Sequence, residues 1–71
     1  MAIELSKEEK IQIIESRERN LLNSSYNAEL GLLQENAKLN PDQLLIDRFN
    51  NDIQEISKQL SALQAEKDKL N

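Results

Sequence analysis

The side chains of this chain that could do chemistry are carboxylates, amines and serine hydroxyls. Its 71 residues include 13 Asp and Glu and 9 Lys and Arg, with no His and no Cys. Histidine is the commonest general base and cysteine is the most reactive side-chain nucleophile, so proton transfer and covalent catalysis lack their usual groups. None of the serines has a basic partner in a recognisable arrangement. We therefore expect no catalytic residues and no enzyme activity.

Metal and phosphate sites also lack their usual ligands. A structural zinc site needs Cys or His, and a phosphate-binding loop needs several glycines where this chain has only Gly31. Asp52 and Glu55 match no calcium-binding pattern and fit the solvated side of a helix. The sequence predicts no metal, no cofactor and no small-molecule substrate.

One acid and one base stand out by their positions. Lys67 interrupts a stripe of apolar residues whose spacing alternates between three and four, which is the pattern of a helix that packs against another helix. Glu18 interrupts a similar stripe nearer the N-terminus. The second-half stripe consists of Ile46, Phe49, Ile53, Ile56, Leu60, Leu63, Lys67 and Leu70. The first-half stripe consists of Ile11, Ile14, Glu18, Leu21, Ser25, Ala28, Leu32, Glu35 and Leu39.

Two helices are needed to carry these stripes. Ser6 and Glu9 form a capping-box pattern, which predicts a first helix over about 7–39. Asn40 as N-cap and Pro41 as first helical residue predict a turn at 40–41 and a second helix over about 41–70. Leu39 and Leu44 could then form a hydrophobic staple across the turn. The polar segment 23–27 leaves open a break in the first helix, although we expect tertiary packing to keep it continuous.

The two stripes predict a hairpin. When positions whose numbers add to 84 or 85 are paired, every layer aligns, from Leu39 with Ile46 to Ile14 with Leu70. The same register places Glu18 opposite Lys67, as a pair that would fix the hairpin register. We therefore predict an all-α, antiparallel two-helix coiled-coil hairpin, one domain over residues 1–71, that oligomerises into a helical bundle. A swapped assembly, in which the two helices pair with other chains, is the competing topology.

A second set of apolar residues on the first helix is left outside this hairpin. It lies roughly 120° around the helix from the first stripe, at 3.6 residues per turn. We expect it to be a protein interface, first with further copies of this chain and alternatively with a different protein. Its members are Leu22, Tyr26, Leu30, Leu33 and Ala37.

The charge balance argues against nucleic acid and membrane. The formal charge is −4, and no basic block is present, so the footprint of a nucleic-acid binder is missing. An RNA-binding bundle is the weakest alternative. It is suggested by a polar stretch of the first helix, but Glu15 and Glu18 lie among these residues: Arg17, Arg19, Asn20, Asn23 and Asn27.

The longest apolar run is Leu44–Ile46, and the N-terminus has no signal-peptide pattern. We expect a cytoplasmic protein, or one carried within a larger particle such as a virion.

The outline resembles two families of small bacterial hairpins in topology only. Aspartyl-phosphate phosphatases of this shape carry Ser-x-x-x-Asp, but Ser57 is followed by Ser61 and Ser61 by Ala65, so we reject that assignment. Plasmid RNA-regulatory hairpins share the outline without a matching motif.

Abundant Asn, Lys and Ile are typical of AT-rich bacteriophage genomes. The sequence thus favours a homo-oligomeric structural or assembly protein, phage-encoded on this composition, and alternatively a small regulator that binds and occludes a partner protein.

Overall fold

The computed structural model describes residues 4–71, which form two long α-helices joined by one turn. Helix α1 spans Lys7–Asn36 (30 residues) and helix α2 spans Gln43–Leu70 (28 residues). The two pack against each other along their lengths in a rod of 61 × 20 × 15 Å, and no strand occurs within the described residues. The predicted all-α hairpin is therefore confirmed, and the pairing partner of each helix is the other helix of the same chain.

Helix α1 begins as its capping box predicts. The Ser6 hydroxyl accepts a hydrogen bond from the Glu9 backbone N–H (3.1 Å), and the Glu9 carboxylate accepts one from the Ser6 N–H (3.0 Å). These reciprocal bonds satisfy two donors that a helix start leaves unpaired. The helix then continues without interruption through residues 23–27, so packing against α2 outweighs the poor helix propensity of that segment.

The core of the hairpin is the seam between the two predicted stripes. Ile14 and Ala28 are buried in α1, and the stripe residues of α2 are all partly shielded, because two helices alone cannot enclose a side chain completely. The predicted stripe positions over Ile11–Glu35 and Ile46–Leu70 are all shielded from solvent in part or in full. Gly31 and Leu45 are shielded in addition, beside the two stripes.

The turn differs from its prediction. Helix α1 ends at Asn36 rather than at 39, with Ala37 as C-cap, and α2 begins at Gln43 rather than at 41. Asp42, not Asn40, is the N-cap of α2, since its carboxylate accepts a hydrogen bond from the Leu44 N–H (3.0 Å). The physical reason lies in Glu35, whose buried carboxylate accepts the Asp42 N–H (2.8 Å) and holds that residue at the helix entrance.

Two leucines beside the turn are consequently misplaced by the sequence prediction. Leu39 is 100% exposed and Leu44 is 80% exposed, so the expected Leu39–Ile46 layer and the Leu39–Leu44 staple are wrong. Because α1 stops three residues earlier than expected, Leu39 lies in the connection and no longer continues the helical stripe. The seam ends one layer sooner, at Glu35.

Candidate interaction surface

The most prominent unexplained feature of the hairpin is an apolar face of α1 that α2 does not cover. We call Leu22, Tyr26, Leu30, Leu33 and Ala37 the α1 stripe. Its four large side chains are between 38% and 67% exposed, and Ala37, the C-cap, is also exposed. The structure thus places all five predicted interface residues on the surface, four of them along α1 and Ala37 at its C-cap. The role of the stripe as an interface stays a prediction.

Helical geometry explains why α2 leaves this face open. The seam uses one side of α1, and the α1 stripe lies roughly 120° further around the helix axis. On that side the hairpin has a shallow groove, where Leu22 and Leu60 lie with polar groups of α2. The remaining lining residues are Glu18, Ser57, Ser61, Gln64 and Lys67. Apart from Leu60, the second helix therefore presents polar side chains next to the stripe.

Helix α2 has no comparable face of its own. Among the described residues, the only exposed large apolar side chain of α2 is Leu44, at its first turn. The other large apolar side chains of α2 are partly shielded in or beside the seam. The asymmetry between the helices is the main functional signal of the hairpin, since exposed apolar surface that runs along one helix marks an interaction site more often than scattered single residues do.

The structure brings Glu18 and Lys67 together at the far end of the seam. The Lys67 Nζ donates to Glu18 Oε1 at 2.8 Å, and Glu15 Oε2 lies 3.9 Å from the same nitrogen. Both main partners are largely shielded, with side chains 16% and 18% exposed. The hydrogen bond to Glu18 raises the pKa of Lys67 above its ordinary value. A lysine held charged in this way is poorly suited to act as a general base. The role of the pair in fixing the hairpin register stays a prediction.

A second carboxylate has a role that sequence reasoning missed. Glu35 is only 4% exposed, and it joins the two helices at the turn by accepting the Asp42 N–H and pairing with the Lys38 ammonium at 2.8 Å. The hydrogen bond from Lys38, followed by that from Asp42, lowers the pKa of Glu35 below 4.5. Its heptad position predicted a seam residue opposite Phe49. The local sequence signal for this role was a lysine three residues after an acid, just before a proline-containing turn. That spacing of acid and lysine is common in surface helices, so it did not single out Glu35.

Phe49 packs closely against Gly31. A Cβ atom built on Gly31 would lie 2.7 Å from Phe49 Cζ and 2.8 Å from Cε1, closer than such atoms approach in proteins. Glycine is therefore the residue that admits the ring against the α1 backbone. The sequence alone showed only its unfavourable helix propensity.

Two of the polar residues behind the RNA-binding alternative lie away from the stripe. Arg17 and Asn20 line a groove of about 440 Å³ on the other face of the hairpin, between Leu21 of α1 and Leu63 of α2. The remaining lining residues are Gln59 and Ala62. A single arginine in that groove is far from the basic patch that phosphate binding requires.

The described residues also lack two other kinds of feature. Neither α1 nor α2 contains an apolar stretch long enough to cross a membrane. Over residues 4–71, no three acidic side chains cluster in a way that could hold a metal ion. In comparisons with known proteins, the chain matches no protein-family model, no curated protein and no solved structure.

Proposed function

We propose that this chain is a non-enzymatic protein–protein interaction module that associates with itself through the α1 stripe, as a small structural or assembly protein. The observation that carries the proposal is the solvent exposure of four large apolar side chains along one helix of a hairpin whose other helix exposes only Leu44, at its first turn. A chain of this size buries little core by itself, so it gains more from a partner than a large domain does.

The energetic argument follows from the exposed fractions. Full burial of a leucine or comparable side chain contributes about 1.5–3 kcal/mol, so a half-exposed one still has about 1 kcal/mol to gain. Four such side chains in each chain therefore offer about 8 kcal/mol to a symmetric pair before the entropic cost of association. Self-association is favoured over a foreign partner because each new copy supplies a stripe of matching length.

The decisive experiment removes the two central side chains of the stripe. In a symmetric dimer, Tyr26→Ala with Leu30→Ala removes four side chains that contribute about 1 kcal/mol each, so we expect the dissociation constant to rise about 1,000-fold. Sedimentation equilibrium measures this constant. Because both side chains are partly outside the seam, circular dichroism should show that the hairpin remains helical.

The matched control is Ile13→Ala. Ile13 is an exposed apolar residue of the same helix that lies outside the stripe, so its replacement should leave the dissociation constant within about two-fold of the original. A double variant that associates as tightly as the unmodified chain would refute the proposed interface. A monomeric unmodified chain would refute self-association itself and favour the regulator that docks on another protein.

A further inference from the structure

We propose that the α1 stripe pairs with the α1 stripe of a second copy, antiparallel, around a two-fold axis between Tyr26 and Leu30. This inference rests on the proposed self-association and adds the identity of the contacting helix, its direction and its register. Helix α2 of each copy then lies on the outside, and the two α1 helices form the centre of a four-helix assembly.

The spacing of the stripe is the first support. Its large residues are separated by four, four and three positions, and an antiparallel copy presents the same residues in reverse order. Positions whose numbers add to 55 or 56 then face each other, so Leu22 meets Leu33 and Tyr26 meets Leu30. Each pair occurs twice, as a two-fold interface requires. The large tyrosine ring meets a leucine in both halves rather than a second tyrosine.

The charges around the stripe favour the antiparallel direction. Arg19 precedes Leu22 by three residues and therefore lies on the same face of α1. In the proposed register Arg19 reaches the last turn of the other copy's α1, near Ala37. That turn carries the negative end of the helix dipole and contains no basic residue of its own. A parallel pairing would instead place Arg19 against Arg19 and Glu29 against Glu29, which repel.

The outward placement of α2 follows from its polar side. Ser57, Ser61 and Gln64 flank the groove next to Leu22, so stacking α2 on the other copy would bury hydroxyl and amide groups against each other or against leucines. Pairing through α1 alone buries the apolar face and leaves these groups in water.

The stripe is long enough for a specific dimer. Together with Arg19 on the same face, the contact from Arg19 to Ala37 spans about 27 Å at 1.5 Å per residue. Contact along that length in both copies buries on the order of 1,000 Å² in total, the lower bound for a stable specific interface. A second copy of this chain is therefore a sufficient occupant of the whole face.

Cysteine cross-linking tests the register without background, because the chain has no cysteine of its own. Leu22→Cys and Leu33→Cys chains, carrying different tags, are mixed in equal amounts and oxidised. In the proposed register the two introduced thiols are neighbours, whereas Leu22 positions in the two copies are about 17 Å apart along the helix axis, beyond disulfide reach. We expect the mixed disulfide to form at least about ten-fold faster than either disulfide between identical chains.

A second pair of cysteine variants is the control, because it keeps the leucines whose removal could itself weaken the dimer. Arg19→Cys with Ala37→Cys keeps every large apolar side chain of the stripe and should give the same preference for the mixed product. Preferential disulfides between identical Leu22→Cys chains, or no cross-link in either pair of a chain that is dimeric by sedimentation, would overturn this inference and leave the proposed function standing. A monomeric unmodified chain would overturn both.

Discussion

Replacement of Gly31 by alanine tests the packing of the seam quantitatively. On helix propensity alone, Gly31→Ala should stabilise α1 by about 1 kcal/mol. In the hairpin, however, the new Cβ would lie 2.7 Å from Phe49 Cζ, whereas ordinary contact begins near 3.4 Å, so the ring must withdraw by about 0.7 Å. Overpacking of this kind costs about 1–3 kcal/mol. With a cost near 2 kcal/mol, we expect net destabilisation of about 1 kcal/mol.

The assay is a double-mutant cycle with Phe49→Leu, followed by thermal unfolding with circular dichroism at one fixed protein concentration. In the Phe49→Leu background the clash is gone, so Gly31→Ala should stabilise by about 1 kcal/mol and the coupling between the two sites should be about 2 kcal/mol. For a chain of this length, each kcal/mol corresponds to a shift in Tm of about 4–8 °C.

Asn27→Ala is the matched control, since it improves helix propensity at an exposed position of the same helix and should stabilise by a few tenths of a kcal/mol in both backgrounds. Equal stabilisation by Gly31→Ala with and without Phe49 would refute the close approach of the ring to α1.

Substitutions at three other positions probe the ends of the seam. Glu35→Ala should lower the Tm more than Glu55→Ala does, because Glu35 is shielded and hydrogen-bonded to Asp42 at the turn, whereas Glu55 pairs with Lys58 in solvent. An equal effect of both substitutions on the Tm would contradict the role of Glu35. Since the pKa of Glu35 is lowered, the stability that it contributes to the hairpin is complete above pH 4.5 and is lost as the pH falls through the lowered value. Glu35→Gln should therefore make the stability of the hairpin less dependent on pH in the acid range. Asp42→Ala removes the N-cap of α2 and should cost about 0.5–2 kcal/mol in chemical denaturation, whereas Asn40→Ala should have little effect if Asp42 is the cap. Because the pKa of Lys67 is raised, the stability that it contributes to the hairpin is complete below pH 10.5 and is lost above that pH. Lys67→Arg keeps its charge at alkaline pH, so it should move the midpoint of alkaline unfolding to a higher pH. An unchanged midpoint would contradict the pairing with Glu18.

The long-range pairing of the hairpin could be predicted because it depends on periodicity. A stripe with alternating spacing of three and four specifies which side chains share a face, and only one register placed Glu18 against Lys67. The structure has these side chains 2.8 Å apart. The predicted α1 stripe was found on the same principle, as the apolar residues that the pairing left unused.

The turn could not be predicted because it depends on competition between local groups. Asn40 and Asp42 are comparable N-caps, and the choice between them is made by Glu35, a residue that periodicity assigns to the seam. The role of Gly31 was hidden for a related reason, since its value lies in the space it leaves for Phe49 on the other helix. Propensity scales describe the residue alone and contain no term for that neighbour.

Self-association of the unmodified chain is the claim on which the interface and its register both depend. Light scattering coupled to size exclusion, over a range of micromolar concentrations, gives the mass in solution directly. We expect a species of twice the 8.2 kDa chain mass that dissociates on dilution. A mass of 8.2 kDa at every concentration, with the helices intact, would contradict self-association through the α1 stripe.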